Sequence, residues 1–249
     1  MYNVLFGQYA VKKVPVGHNP VWLLRMLEEV HTLEQFQHPN VISYKHAWLE
    51  NHQVSKFGPE VPVLFILMEF ASGGTLDAYL CPEEIQETAP TPTRSARRQR
   101  MQQQQQQQRR YLSEDRIWSM FVDVVRGIHH LHEHGLLHRD LKPNNLLLRL
   151  SEQSNESPPC VMISDFGESA LLSRQGDQSL RSGNTGTLEY MAPELLQTTG
   201  GEYTSLHTKA SDVWSLGLVL FYLCFSALPF RENMDVDRLR DEILQTRVL

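Results

Sequence analysis

The stretch Val213–Phe230, VWSLGLVLFYLCFSALPF, limits what this chain can fold into more than any other. It is apolar over about the length needed to cross a bilayer. A membrane span satisfies it, and so does a helix buried in the middle of a large domain. Ser215, Gly217, Ser226 and Pro229 interrupt the run, and no basic cluster flanks it to fix a membrane orientation. The buried reading needs enough chain to surround the helix, and 249 residues supply one large domain or two small ones. With 41% hydrophobic and 21% charged residues the composition is that of a soluble globular protein. The net charge of −6 gives no support to nucleic-acid binding by the chain as a whole. Cys81, Cys160 and Cys224 are odd in number and widely spaced, so neither a disulfide framework nor a zinc site is indicated, which fits a reducing, cytoplasmic setting. The N-terminus lacks the basic and apolar regions of a signal peptide.

Along the chain, QYAVKKVPV reads as a strand stopped by Pro15. Leu23, Met26, Leu27, Val30 and Leu33 recur at helical spacing. HPNVISYKHAWLE and VPVLFILMEF read as two further strands, giving a small sheet with one helix. From about Cys81 to Arg110 the character changes, with prolines, threonines, seven consecutive glutamines (Gln102–Gln108) and six arginines without an acid from Arg94 onward. This is a low-complexity insert that reads either as a solvated, disordered segment or as a basic docking arm over residues 94–110. A helix is expected next, with Ser113 as N-cap, Glu114 and Asp115 in its first turn, and Gly135 at its end. Its apolar stripe is Ile117, Phe121, Val124, Val125, Ile128 and Leu131. His129, His130, His132, His134 and His138 crowd this region, but the HExxH pattern of a zinc protease is missing.

The chemistry concentrates in HGLLHRDLKPNNLLLRL, His134–Leu150. In an extended loop, residues two apart point the same way, so Asp140 and Lys142 can face one reacting centre. The carboxylate can orient a hydroxyl and accept its proton. The ammonium can offset charge developing on a phosphoryl group. Asn145 adds a neutral oxygen suited to a hard cation such as Mg²⁺. Acid, cation and neutral oxygen together suit phosphoryl transfer, in which positioning and charge stabilisation do most of the catalysis. A second acid, Asp165, follows a strand-like run in VMISDFGESA, next to Gly167, whose backbone freedom suits a switch. Upstream, Lys12 lies on the first strand and Glu29 on the helix after it, where a carboxylate could hold the long lysine side chain.

AVK (Ala10–Lys12), HRDLKPNN (His138–Asn145), DFG (Asp165–Gly167), GTLEYMAPE (Gly186–Glu194) and DVWSLG (Asp212–Gly217), in this order, resemble the eukaryotic protein kinase family of the serine/threonine type. FGPEVPVLFILMEFASGGTLDAYL and YAVKKVPVG look most like the fungal IKS group. The stress-responsive, PEK-like kinases of translation initiation come next. The resemblance implies an α+β, bilobal fold, with residues 1–70 forming part of a β-rich small lobe and hinge and residues 71–249 part of a larger helical lobe, interrupted by the insert at 82–110. It implies ATP and Mg²⁺ as cofactors and a protein substrate bearing serine or threonine, with no membrane partner. Lys12, paired with Glu29, would meet the α- and β-phosphates. Asp140 would be the catalytic base, Lys142 would support the transferred phosphate, and Asn145 and Asp165 would hold magnesium. Met68 would be the gatekeeper, with Glu69 and Ala71 offering backbone groups to adenine. Leu33, Tyr44, Phe166 and His138 would stack as a spine between the lobes. Lys142 and Thr187 point to serine/threonine specificity. Arg139 implies control by a phosphate on the activation segment, with Ser182, Thr185 and Ser179 as candidate sites.

The sequence also departs from the family pattern. Only eleven residues precede Lys12, and Gly7 is the sole glycine among them, so the glycine-rich loop and its two strands are expected to be missing. The final helices of the large lobe, and the arginine that usually pairs with Glu194, are expected to be missing as well. Weak ATP binding and little turnover follow as expectations for a chain truncated in this way. A non-catalytic scaffold built on the same fold is the alternative reading.

Overall fold

The computed structural model of the protein describes residues 8–16, 23–24, 27, 30–31, 34, 37–53, 58–82, 111–151, 157–165, 170–171, 188–199, 202–203, 207–230 and 235–246. Glu29, Leu33, Phe166, Gly167, Thr187, residues 83–110 of the insert and the candidate phosphosites Ser179, Ser182 and Thr185 lie outside the described residues.

Three strands, β1 (Tyr9–Pro15), β2 (Tyr44–Gln53) and β3 (Glu60–Glu69), form an antiparallel sheet in the order β1-β3-β2. The central strand carries the continuous apolar run, and Val63, Leu64, Phe65 and Ile66 are buried. Pro15 is the last residue of β1, opposite Val63, and is tolerated there because β1 is an edge strand. Leu23, Leu27 and Val30 are helical and turn to the core, as their spacing predicts.

Sequence and structure part company at HPNV. The strand expected to begin there starts only at Tyr44. Residues 40–42 bond instead to a distant strand: the Ile163 amide donates to the Asn40 carbonyl and the Ile42 amide to the Ile163 carbonyl, both at 2.9 Å. This parallel bridge at Val41 lies against the large helical region, and Val41 and Ile42 are buried in it.

The large region opens with α1 (Leu76–Leu80), capped by the Thr75 hydroxyl, and α2 (Glu114–Glu133), with Ser113 as N-cap. Gly135 follows α2 at φ +73°, the left-handed conformation a helix terminus favours. The buried face of α2 is Met120, Val124, Gly127, Ile128, Leu131 and His132. The predicted stripe is therefore rotated: Val125 is exposed, and Ile117 and Phe121 are half-buried. Gly127 is the cause. A Cβ there would stand 2.6 Å from both the Asn40 carbonyl and the Ile163 side chain, so only glycine lets α2 seat against the bridge. Apolar periodicity cannot register a glycine chosen for close approach.

Beyond α2 come β4 (Leu136–Leu137), a 3₁₀ turn at Pro143–Asn145, β5 (Leu146–Arg149), β6 (Cys160–Ile163) and β7 (Ala170–Leu171). β4 pairs with β7 and β5 with β6, both antiparallel. A 3₁₀ turn (Leu188–Tyr190) and α3 (Pro193–Leu196) lead to the two-residue strands β8 (Thr198–Thr199) and β9 (Glu202–Tyr203), then to α4 (Lys209–Phe225) and α5 (Val236–Gln245). The apolar stretch that opened the sequence argument is most of α4. Thr208 and Ser211 cap it reciprocally, and Ser226 ends it in the left-handed region at φ +49°. Leu218, Val219 and Leu223 are buried in the domain, whereas Val213 and Phe225 remain more than half exposed, so the helix is not enclosed on all sides. Among the described residues, no helix is long and apolar enough to cross a membrane.

Candidate active site

The loop between β4 and β5 follows a strict local logic. Lys142 is extended, and Pro143 opens the 3₁₀ turn that swings Asn145 back towards Asp140. The Asn145 amide nitrogen donates to the Asp140 backbone carbonyl at 2.7 Å and to its carboxylate Oδ2 at 2.9 Å. The Lys142 ammonium contacts the same Oδ2 at 2.7 Å. Both side chains of that pair are largely shielded, at 19% and 15% exposed, which strengthens the attraction relative to a surface pair. The placement of Asp140 and Lys142 two apart on one side of the loop is as the sequence indicates.

Beneath the loop lies an anchor that the sequence reading did not assign. Asp212, in the first turn of α4, is 1% exposed and accepts three hydrogen bonds: from His132 Nε2 at 2.7 Å, from the His138 amide at 2.9 Å and from the Arg139 amide at 2.9 Å. Burial alone would raise its pKa. The His132 hydrogen bond, the field of His138 and the two backbone amides outweigh burial and hold the carboxyl below its ordinary value. Asp212 also explains the backbone of Arg139, which sits at φ +69°, a conformation costly for a non-glycine residue unless its surroundings hold it. Buried His138 donates from Nε2 to the Ser164 carbonyl at 3.1 Å and accepts the Asp140 amide on Nδ1 at 3.3 Å. A motif match at DVWSLG was the only available signal for Asp212, and it gave position without partner.

The second acid joins through Ser164, whose amide and hydroxyl both donate to the Asn145 carbonyl, at 2.9 and 3.0 Å. Asp165 follows at φ +60°, and the Lys12 ammonium pairs directly with its Oδ1. Lys12 reaches it from β1, opposite Ile66 of β3. Five of the six charged or metal-binding residues singled out in sequence (Lys12, Asp140, Lys142, Asn145 and Asp165) are thus linked to one another. Glu29, the sixth, is outside the described residues.

At the far end of β3, buried Met68 pairs with Ala10 and Tyr44. The Glu69 amide is committed to the Ser43 carbonyl at 2.9 Å. Ala71 is partly buried against the core. The next residues dock on β5 through Gly73 N–H to the Leu148 carbonyl (2.7 Å) and Leu148 N–H to the Gly74 carbonyl (2.8 Å). Of the predicted spine, Tyr44 and His138 are buried. The crowded histidines divide by role. His132 and His138 are buried in the anchor, and His130 stacks on His38 and lies tilted against His134, with ring centroids 4.7 and 4.4 Å away. Among the described residues, no group of histidines, cysteines and acids is arranged to hold a metal ion by itself. A small recess is lined by Asp140 together with Arg139, Tyr190, Met191, His207 and Ser215.

A small antiparallel sheet beside a helical region, with a lysine from one meeting Asp165 of the other, is the arrangement of a protein kinase fold. The protein kinase domain family matches residues 6–248, and the chain belongs to that family. It is 41% identical over 245 residues to "Probable serine/threonine-protein kinase iksA" of Dictyostelium discoideum, covering 94% of this chain and 22% of that protein. It is 30% identical over 228 residues to serine/threonine-protein kinase ssp1 of Schizosaccharomyces pombe, covering 90% and 28%. The calcium/calmodulin-dependent protein kinase kinase of Caenorhabditis elegans is 30% identical over 218 residues, covering 88% and 31%. The chain therefore spans between about a fifth and a third of the length of these relatives.

Proposed function

We propose that this chain carries the catalytic site of a cytoplasmic serine/threonine protein kinase that transfers the γ-phosphate of ATP to protein hydroxyls with Mg²⁺. One observation carries the reading: Lys12 of the small sheet meets Asp165 of the large region, beside the cluster of Asp140, Lys142 and Asn145. The donor set fits a hard cation. The Asn145 amide nitrogen is turned to Asp140, which leaves its neutral oxygen as the ligand, and Asp165 already attracts a cationic group. Asn145 and Asp165 would hold magnesium, which would supply positive charge to offset that of the phosphates.

The residues divide the work. Lys12 exchanges Asp165 for phosphate oxygens when nucleotide enters, and Glu29 holds it there. Met68 walls the base pocket, and the backbone of Glu69 and Ala71 reads the adenine edge. Asp140 orients the substrate hydroxyl and takes its proton on the carboxylate. Lys142 sits on that carboxylate and balances charge on the phosphoryl oxygens as the hydroxyl oxygen bonds to the γ-phosphorus and the bond to the β-phosphate oxygen breaks, releasing ADP. Arg139 meets an activation-segment phosphate, and the basic segment at 94–110 docks a partner.

A thermal-shift titration with ATP tests the reading. The chain is expected to gain a magnesium-dependent stabilisation that Asp165→Asn abolishes. An equal shift in both proteins, or none in the parent, rejects the proposal. Transfer of labelled phosphate from ATP to a serine-containing basic protein then measures turnover.

A further inference from the structure

We infer that Arg149 is a positioning residue for the nucleotide: by tying Glu69 to the large region it sets the orientation of the strand end that reads adenine. The inference rests on the kinase reading above and concerns a residue outside its catalytic set.

The geometry is that of a three-point seam. Arg149 ends β5, and its Nη1 donates to Glu69 Oε1 at 2.7 Å. Its Nη2 lies 3.4 Å from the Pro39 carbonyl and 3.6 Å from Cys160 Sγ. One planar guanidinium therefore serves the end of β3, the turn before the Val41 bridge and the β5–β6 hairpin. A lysine offers a point charge and no second fixed donor. Asn40 reinforces the seam by donating from its side chain to the Val161 carbonyl at 3.0 Å. Glu69 is thus held at both ends, by Ser43 at its amide and by Arg149 at its carboxylate. The two contacts tie the end of β3 to the turn at Ser43 and to β5.

Among the described residues, two ion pairs join the small sheet to the large region, Lys12–Asp165 and Arg149–Glu69. The first must open for phosphates to enter. The second has no need to open and persists with nucleotide bound. Its side chains are 41% and 26% exposed, so it contributes little to global stability. Its effect falls on the orientation of Glu69, and hence on nucleotide affinity more than on folding or on the chemical step.

The test is a titration of the 249-residue chain with a fluorescent, ribose-labelled ATP and Mg²⁺, read by anisotropy, on wild type, Arg149→Met, Glu69→Gln, the double variant and Arg149→Lys. Arg149→Met is expected to raise Kd roughly three- to tenfold, and Glu69→Gln, which preserves side-chain shape, to match it. The double variant should be no weaker than either single one, and Arg149→Lys should recover part of the loss. For Arg149→Met in a turnover assay, KM for ATP should rise while kcat at saturating ATP stays within about twofold, with Tm within about 2 °C of wild type. A wild-type Kd in either single variant overturns the inference, as does a double variant whose loss is the sum of the two. A wild type that binds no nucleotide removes the proposed function and this inference with it.

Discussion

The floor and the roof of the site are built differently. The floor, with Asp140, Lys142 and Asn145, rests on buried Asp212, His132 and His138, and every neighbour is within hydrogen-bonding distance of another. The roof is Lys12, 36% exposed on an edge strand, leaning on Asp165, which is 46% exposed. The floor is preorganised: Asp140, Lys142 and Asn145 are tied to one another and, through His138 and Arg139, to buried Asp212, so they hold their places before substrate arrives, as electrostatic catalysis requires. The roof is provisional. On the proposed function, its pair must part to admit phosphates and a cation. Changes to the floor should therefore damage chemistry or folding, whereas changes to the roof should damage binding alone.

The largest effect expected from this contrast is on turnover. Asp140→Asn should lower kcat by roughly 10²- to 10⁴-fold with nucleotide affinity little changed, as single-turnover phosphate transfer would show. A variant retaining more than about a tenth of wild-type activity would deny Asp140 its role as base.

Folding comes second. Asp212→Ala strands three buried donors and should cost about 3–5 kcal/mol, lowering Tm by roughly 10 °C. Its pH dependence has a definite sign. Because the folded carboxyl titrates below its ordinary value of 3.8, its contribution is fully present above that pH and is lost as pH falls through the folded pKa. The Tm gap between variant and wild type, followed by circular dichroism from pH 7 to pH 3, should be constant until about pH 4 and then narrow. A gap that widened on acidification would put the stabilising proton on the wrong group.

Gly127→Ala is a milder challenge to the same floor. With its new methyl 2.6 Å from a backbone carbonyl, it should cost about 1–3 kcal/mol, since α2 or the 40–42 turn must shift. Denaturant titration would measure it, and an unchanged midpoint would mean that α2 has room the packing does not show.

The smallest effect on stability belongs to the roof. Lys12→Met should weaken nucleotide binding while leaving Tm within about 2 °C. A larger fall would show that the Lys12–Asp165 pair also holds the fold, and would erase the contrast.

How much of this was legible in sequence followed the distance between partners. Asp140, Lys142 and Asn145 lie within six positions, so strand geometry and side-chain chemistry placed them together without a structure. Lys12 and Asp165 are 153 positions apart and came through family resemblance. Asp212 and Arg149 depend on partners 73 to 80 positions away, and nothing local to either residue announces those partners. The rotation of α2 was illegible for a different reason, because a glycine selected for contact leaves no trace in apolar periodicity. The strand expected from HPNV failed because its apolar residues are buried by the other half of the molecule, which a local window cannot distinguish from burial within the sheet.

The bridge between Val41 and Ile163 has a temporal meaning as well as a spatial one. A ribosome adding about 5–20 residues per second makes Val41 roughly 6 to 25 seconds before its partner. For that interval the newborn β1–β3 segment has an unsatisfied lower border, with Val41 and Ile42 exposed and no strand to receive them. Completion of the amino-terminal half must wait for a segment made well after it, and the intervening time is when a nascent-chain chaperone would have most to hold.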